Sequence, residues 1–180
     1  MDSNVKIKEL TSSDIEGNLL LNFNRYQKTD KLWTNESGSW QLVEEGYSFD
    51  WNKDKKESIA KEFLHIINNK KGCVFAAYNG NNLIGFAMLL NDKFGTNLEY
   101  VQLKYLHVSY EYRHQGIGKH LFKLCADRAR ELNTGKLYLS ANDSEDTQRF
   151  YLTLGCTDAA EIDKKLAEAE PYDRQMEYIL

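Results

Sequence analysis

The sequence predicts a mixed α/β (α+β) fold, with a mostly antiparallel central sheet of about six or seven strands and about four helices. Three observations predict it. Cys73–Tyr78 and Leu83–Leu90 are apolar runs joined by Asn79-Gly80-Asn81-Asn82, and Asn-Gly suits the positive φ angles of a tight hairpin. A long strand-like run from about Leu98 to Ser109 extends that pair into an antiparallel meander. Beyond it, an amphipathic stretch and a further apolar run, Lys136–Ala141, give strand–helix–strand, which implies a parallel pair with a crossover. At 180 residues, one domain spanning 1–180 is expected.

Taken in order, Val5, Ile7 and Leu10 alternate loosely as in a short first strand. Thr11 to Asp14 offers several N-caps, and Ile15, Leu19 and Phe23 recur every four residues, which predicts a helix from about Ser13 to about Tyr26. From Lys28 to Asp54 the texture changes. All three tryptophans (Trp33, Trp40, Trp51) fall here with Tyr47 and Phe49, without clean periodicity, and Asp30, Glu36, Glu44, Glu45, Asp50 and Asp54 outnumber the lysines. An irregular aromatic, acidic loop is expected, with a short ordered piece at Gln41–Val43; long loops in compact domains are usually functional or mobile. A second helix follows from about Lys55 to Asn68, with Ile59, Phe63, Ile66 and Ile67 inward. After the meander, a helix running to about Leu132 carries Ile117, Leu121, Leu124, Cys125 and Ala129 on one face. Ser144 caps a helix over Glu145–Leu154, whose Glu145 and Asp146 suit its positive end, and Gly155 stops it. An acidic connector from Asp158 to Glu170 leads to one or two closing strands, with Gln175–Leu180 alternating.

Composition narrows the function. A net charge of −4 argues against nucleic acid as a partner. No apolar run approaches a membrane span, and the N-terminus lacks the apolar centre of a signal peptide, so a cytoplasmic protein without a membrane role is expected. Cys73, Cys125 and Cys156 are odd in number and widely spaced, with no C-x-x-C pair; they read as small buried hydrophobes, and no metal site is expected.

The stretch Lys104–Gly118, KYLHVSYEYRHQGIG, reads as a buried strand, a short turn and a glycine-rich helix start. Such a start aims free backbone N–H groups at a phosphate. Gly116 and Gly118 remove side chains where backbone must approach an anion, and amides from about His114 to Lys119 form the cradle. Between Lys104 and Lys136, seven Lys or Arg face three acidic residues in a chain that is acidic overall, which suits a polyanionic ligand. The G-x-G-x-x-G of dinucleotide folds lacks its third glycine here, and an antiparallel meander is the wrong lead-in for one.

LHVSYEYRHQGIGKHLF, the strand KLYLSA and the ending QRFYLTLGC together resemble the core of the GNAT family of N-acetyltransferases, whose signature is [Q/R]-x-x-G-x-[G/A] after a bulged strand. The resemblance covers Leu103–Gly155 and implies acetyl-CoA as donor, with Arg113, His114, Gln115, Gly116, Ile117, Gly118 and Lys119 at its pyrophosphate. It implies backbone contacts from Leu106, His107 and Val108 to the pantetheine arm, in a slot between strands splayed at Val108 and Leu139. Asn142 or Ser144 would bond the pantetheine. Tyr151 aligns with the family's general acid for the leaving thiolate. The general base stays open. Some members carry a glutamate where this chain has Leu139, and Glu99 or His107 are the alternatives.

An amine acceptor is expected, with the Lys28–Asp54 loop walling its pocket through Trp33, Trp40, Glu44 and Tyr47. Aromatic faces with carboxylates suit a small cationic molecule. A peptide or protein amine is an alternative acceptor, and a non-catalytic acyl-CoA-binding sensor module is an alternative function. A monomer or homodimer is expected.

Overall fold

The computed structural model describes residues 4–16, 18–35 and 38–180; Gly17, inside the first expected helix, and Glu36, in the acidic loop, lie outside them. Cys73–Tyr78 and Leu83–Leu90 become strands β6 (Gly72–Asn79) and β7 (Asn82–Leu90), buried on both faces because they are apolar at consecutive positions. Around them one seven-stranded sheet forms in the order β1-β6-β7-β8-β9-β11-β10, where β1 is Val5–Glu9, β8 Tyr100–Val108, β9 Lys136–Ala141, β10 Thr157–Asp158 and β11 Arg174–Ile179. All neighbours are antiparallel except β8 and β9, whose crossover is helix α2, Ile117–Glu131. The expected antiparallel meander and parallel pair are both present.

Each face of the sheet carries its own core. Helix α2 and helix α3 (Glu145–Thr153) bring Ile117, Leu121, Cys125 and Tyr151 against Val101, Leu103, Leu137, Leu139 and Met176. Helix α1, Lys53–Asn68, capped by Asn52 accepting from the Lys55 amide at 2.9 Å, packs Ile59 and Phe63 with Phe23 and Trp51 on Phe86 and Met88. The three cysteines are buried and unpaired, and among the described residues no group of His, Cys, Asp and Glu could hold a metal ion. No described helix is long and apolar enough to cross a membrane.

Three expectations change. The helix from Ser13 to Tyr26 is instead a 3-10 turn at Ser12–Asp14, turns over 18–22, and irregular chain to Tyr26. The Asp14 carboxylate accepts from the Thr11 amide at 2.8 Å and its hydroxyl at 2.7 Å, closing the turn early, and Asn24 makes its bonds to Ser109 and Glu111 rather than to a helix. Leu20 and Phe23 still reach the core. The aromatic loop is ordered as two nested hairpins. Strand β2 (Gln27–Thr29) pairs with β5 (Tyr47–Phe49), and β3 (Leu32–Thr34) with β4 (Gln41–Val43). The acidic connector holds a further helix, α4, Lys164–Ala169.

A β-bulge positions the site. Met88 pairs with Tyr105 and Leu89 with Leu103, so Lys104 is the extra residue in β8. The inserted residue resets the alternation. Leu103 and Leu106 both face α2, while Tyr105 and His107 turn to the α1 face.

Candidate active site

The parallel pairing of β8 and β9 runs only from Tyr100↔Lys136 to Gln102↔Tyr138. Beyond it β8 keeps its β7 partner through Val108, while β9 pairs with β11 to Ala141. The β9-facing edge of β8 from Leu103 to Val108 therefore has no ladder partner there. This unpaired edge opens into a cleft of about 1240 Å³, lined along its length by Leu103 to Val108 and at one end by Arg113, His114 and Gly116 to Lys119. That volume exceeds the roughly 300–1,000 Å³ of a single ligand pocket, so two reactants fit.

The glycine turn is built for close approach. Gly116 sits at φ 82° as the N-cap of α2, and a Cβ there would meet nothing within 4 Å. His114 is also left-handed, at φ 61°. The first amides of α2 have no carbonyl a turn earlier to donate to, since His120 is the one that reaches back to the Gly116 carbonyl. Gly118 serves packing: a Cβ there would lie 3.3 Å from the Phe150 ring. The Arg113 side chain is committed to protein, donating from Nε to the Val108 carbonyl at 3.1 Å and from its terminal nitrogen to the Arg25 carbonyl at 3.2 Å. It fastens the turn to β8 and to the segment before β2. The Gln115 side chain folds back to the Glu111 carbonyl at 3.2 Å.

Tyr151 lines the cleft from α3 and is 6% exposed, against Phe122 and Phe150. Burial pushes its hydroxyl well above the ordinary phenol range, so it holds its proton at neutral pH. Of the two pantetheine candidates, Asn142 lines the cleft and Ser144 does not. Ser144 Oγ accepts from Gln27 at 2.7 Å and donates within a buried group formed with Asn142 and Thr147, so it caps α3 and ties it to β2.

The cleft also holds residues the sequence did not mark. Arg25, 8% exposed, lays its guanidinium over Trp51 at 5.5 Å and Phe49 at 5.9 Å, and its Nε has no hydrogen-bond partner. Burial, then the nearby Arg113, pull it down to about 10, still cationic at neutral pH. Glu170 and Asp173 flank Pro171-Tyr172 just before β11, and the Asp173 amide donates to the Glu170 carbonyl at 3.1 Å. Burial and the Glu170 carboxyl raise the Asp173 carboxyl far above the usual carboxylate range. His107 lines the cleft from β8, its ring 4.8 Å from Trp51 and 5.4 Å from Phe86; burial, with Arg25 and Arg113, keeps it neutral.

The sequence matches the acetyltransferase (GNAT) family over residues 37–156, two thirds of the chain. The chain belongs to the GNAT family of acetyltransferases. It is an acyl-CoA-dependent N-acyltransferase with acetyl-CoA as donor. The open turn at Gly116 fits that donor's pyrophosphate, because the space a side chain would fill is free and the helix start points into it. A comparison with curated proteins gives no match. Among solved structures, nourseothricin acetyltransferase superposes with a TM-score of 0.71 at 17% identity, covering 98% of this chain and 99% of that one. A Bacillus anthracis protein assigned as a streptothricin acetyltransferase, in complex with acetyl coenzyme A, gives 0.68 at 19% identity, covering 98% and 97%. PaiA N-acetyltransferase of Thermoplasma acidophilum with coenzyme A gives 0.61 at 20%, covering 98% and 99%. At these identities the likeness concerns the fold.

Within this GNAT fold the residues expected at the acceptor and base divide sharply. Trp33, Trp40, Glu44 and Tyr47 do not line the cleft. The Trp33 amide donates to the Asp143 carbonyl at 2.8 Å, Trp40 packs 4.8 Å from the Arg174 guanidinium, the Tyr47 hydroxyl donates to Asp143 at 3.0 Å, and Glu44 is exposed beside Lys31. The aromatic segment contributes Phe49 and Trp51 instead. Glu99 precedes β8 at the end away from the glycine turn. Its carboxylate is 3.3 Å from Lys136 and its carbonyl holds the Gly135 and Lys136 amides, so it anchors the paired end of β8 and β9. Leu106, His107, Val108, His114 and Lys119 all line the cleft.

Proposed function

We propose that the whole chain, as one domain, transfers the acetyl group of acetyl-CoA to the amine of a small molecule by direct attack within a ternary complex. The observation that carries this is the unpaired edge of β8 from Leu103 to Val108, in one cleft with the glycine turn, Tyr151 and the carboxyls of Glu170 and Asp173. When bound, acetyl-CoA supplies the activated acyl group. Amides at the start of α2 hold its pyrophosphate, helped by the helix dipole. Backbone groups of Leu106, His107 and Val108 align the pantetheine arm, and Asn142 adds a side-chain bond to it.

The acceptor arrives as an ammonium and must lose a proton before its nitrogen can attack. Glu170 and Asp173 attract the ammonium. Asp173, with a carboxyl raised toward the working pH, is suited to take the proton. Tyr151 donates its proton to the sulfur as the C–S bond gives way to the new C–N bond, and burial keeps that proton in place beforehand. The test follows thiol release from acetyl-CoA with a panel of amines. Tyr151→Phe is expected to bind acetyl-CoA normally and to lose about 10²–10⁴ in kcat. Thiol release stimulated by no amine, with CoA still tightly bound, would favour a sensor module; undiminished turnover in Tyr151→Phe removes the acid role.

A further inference from the structure

Arg25 presents a problem of charge. It is a cation with 8% of its surface exposed, and its Nε finds no partner. Among the described residues it takes part in no ion pair within 4 Å. Buried charges are costly unless paired, and native proteins pair them or place them at ligands. Its place is fixed. The Arg25 carbonyl accepts from Arg113, and the Trp51 and Phe49 rings carry the guanidinium. Arg113, the neighbouring cation, has two backbone carbonyls; Arg25 has rings, the open cleft and, beyond ion-pair distance, the Asp50 carboxylate. Glu170 and Asp173 line the same cleft without closing on Arg25. Arg25, Tyr151 and Asp173 all line this one cleft.

We infer that the acceptor carries a carboxylate as well as the amine that is acetylated, and that Arg25 receives the carboxylate while Glu170 and Asp173 receive the ammonium. The substrate class is amphoteric small molecules of the amino-acid kind. This rests on the proposed N-acetyl transfer and narrows its acceptor. An acceptor that is only cationic, as the aromatic, acidic segment suggested, would satisfy the carboxyls and leave Arg25 buried with no carboxylate in ion-pair contact. The planar guanidinium fork matches a carboxylate with two parallel hydrogen bonds.

Matched amines with and without a carboxylate test this: lysine against cadaverine, and ornithine against putrescine, with thiol release followed for the wild type, Arg25→Gln and Arg25→Lys. The amino acids are expected to exceed their decarboxylated counterparts about 10- to 100-fold in kcat/KM, the worth of a charge-assisted bond. Arg25→Gln should bring that ratio close to one through the acceptor KM, with the KM for acetyl-CoA little changed, and Arg25→Lys should restore part of the ratio. Equal or better use of cadaverine and putrescine by the wild type overturns the inference while leaving acetyl transfer standing. A raised KM for acetyl-CoA in Arg25→Gln with the ratio intact also overturns it, assigning Arg25 to the donor's phosphates. If no amine is acetylated, the transfer reading fails, and binding then decides separately. An amino acid should raise the melting temperature of the CoA-loaded wild type and not of Arg25→Gln; no rise in either ends the inference.

Discussion

Gly116→Ala separates two roles that usually travel together, conformational necessity and room for a ligand. Gly116 has φ 82°, and an added Cβ would meet no protein atom within 4 Å. Gly80, at the turn between β6 and β7, has φ 58° and equally open surroundings, but lies outside the cleft. In both, an L side chain in the left-handed region costs about 1–2 kcal/mol. For a chain of this size, about 2–4 °C follow from each kcal/mol, so both alanine variants should melt about 2–8 °C below the wild type. Only at Gly116 does the methyl group enter the space assigned to the pyrophosphate. Losing one amide–phosphate bond there should weaken acetyl-CoA binding about 10- to 100-fold. Calorimetric titration of both variants with CoA, beside their melting curves, reads the two effects apart. Equal CoA affinity in Gly116→Ala and Gly80→Ala, with matching losses of stability, would refute the cradle.

Two further changes probe the acceptor end and the seat of α2. The raised Asp173 carboxyl makes the folded protein bind its proton more tightly than the unfolded chain does. That stabilisation is complete below the unfolded value near ~3.9 and is lost as pH rises through the folded value, so Asp173→Asn should flatten the decline of melting temperature across that window. The same variant should lose the alkaline rise in kcat/KM expected of a proton acceptor, whose midpoint in the wild type should stand far above that of an ordinary aspartate. Gly85→Ala would place a Cβ 3.1 Å from Ile117 and 3.3 Å from Leu121, and should cost about 1–3 kcal/mol, read as a lower urea midpoint at unchanged slope.

The donor half of the site was legible in the sequence because its signals are local. A glycine at positive φ, a helix start and the tyrosine of α3 fall within one contiguous stretch, and the apolar runs of β6 to β9 are long enough to show their period. The segment from β2 to β5 was not. Its strands are three residues each, too short for alternation to register, and Gly46 lets two of them pass so closely that a Cβ would sit 2.6 Å from the Thr29 carbonyl. The four-residue spacing of Ile15, Leu19 and Phe23 matched a helix, yet side-chain bonds of Asp14 and Asn24 redirected the backbone. The tryptophans drew attention to Trp33 and Trp40, which lie outside the cleft that Arg25 and Trp51 line. Glu170 ended an acidic connector, and Asp173 carried no signal of its own. Only the return of the chain beside β9 brings them into that cleft.

That return has a consequence for how the molecule is made. Strand β11 inserts between β9 and β10, so β9 must wait for a strand that follows it by more than thirty residues. Until then a growing chain already possesses the glycine turn, α2 and α3, with one side of β9 uncovered, Leu137 and Leu139 among its residues. An uncovered strand margin is a template for mistaken pairing between chains. The glycine turn can thus be assembled early, whereas the segment carrying Glu170 and Asp173, and protection from aggregation, arrive together with β11.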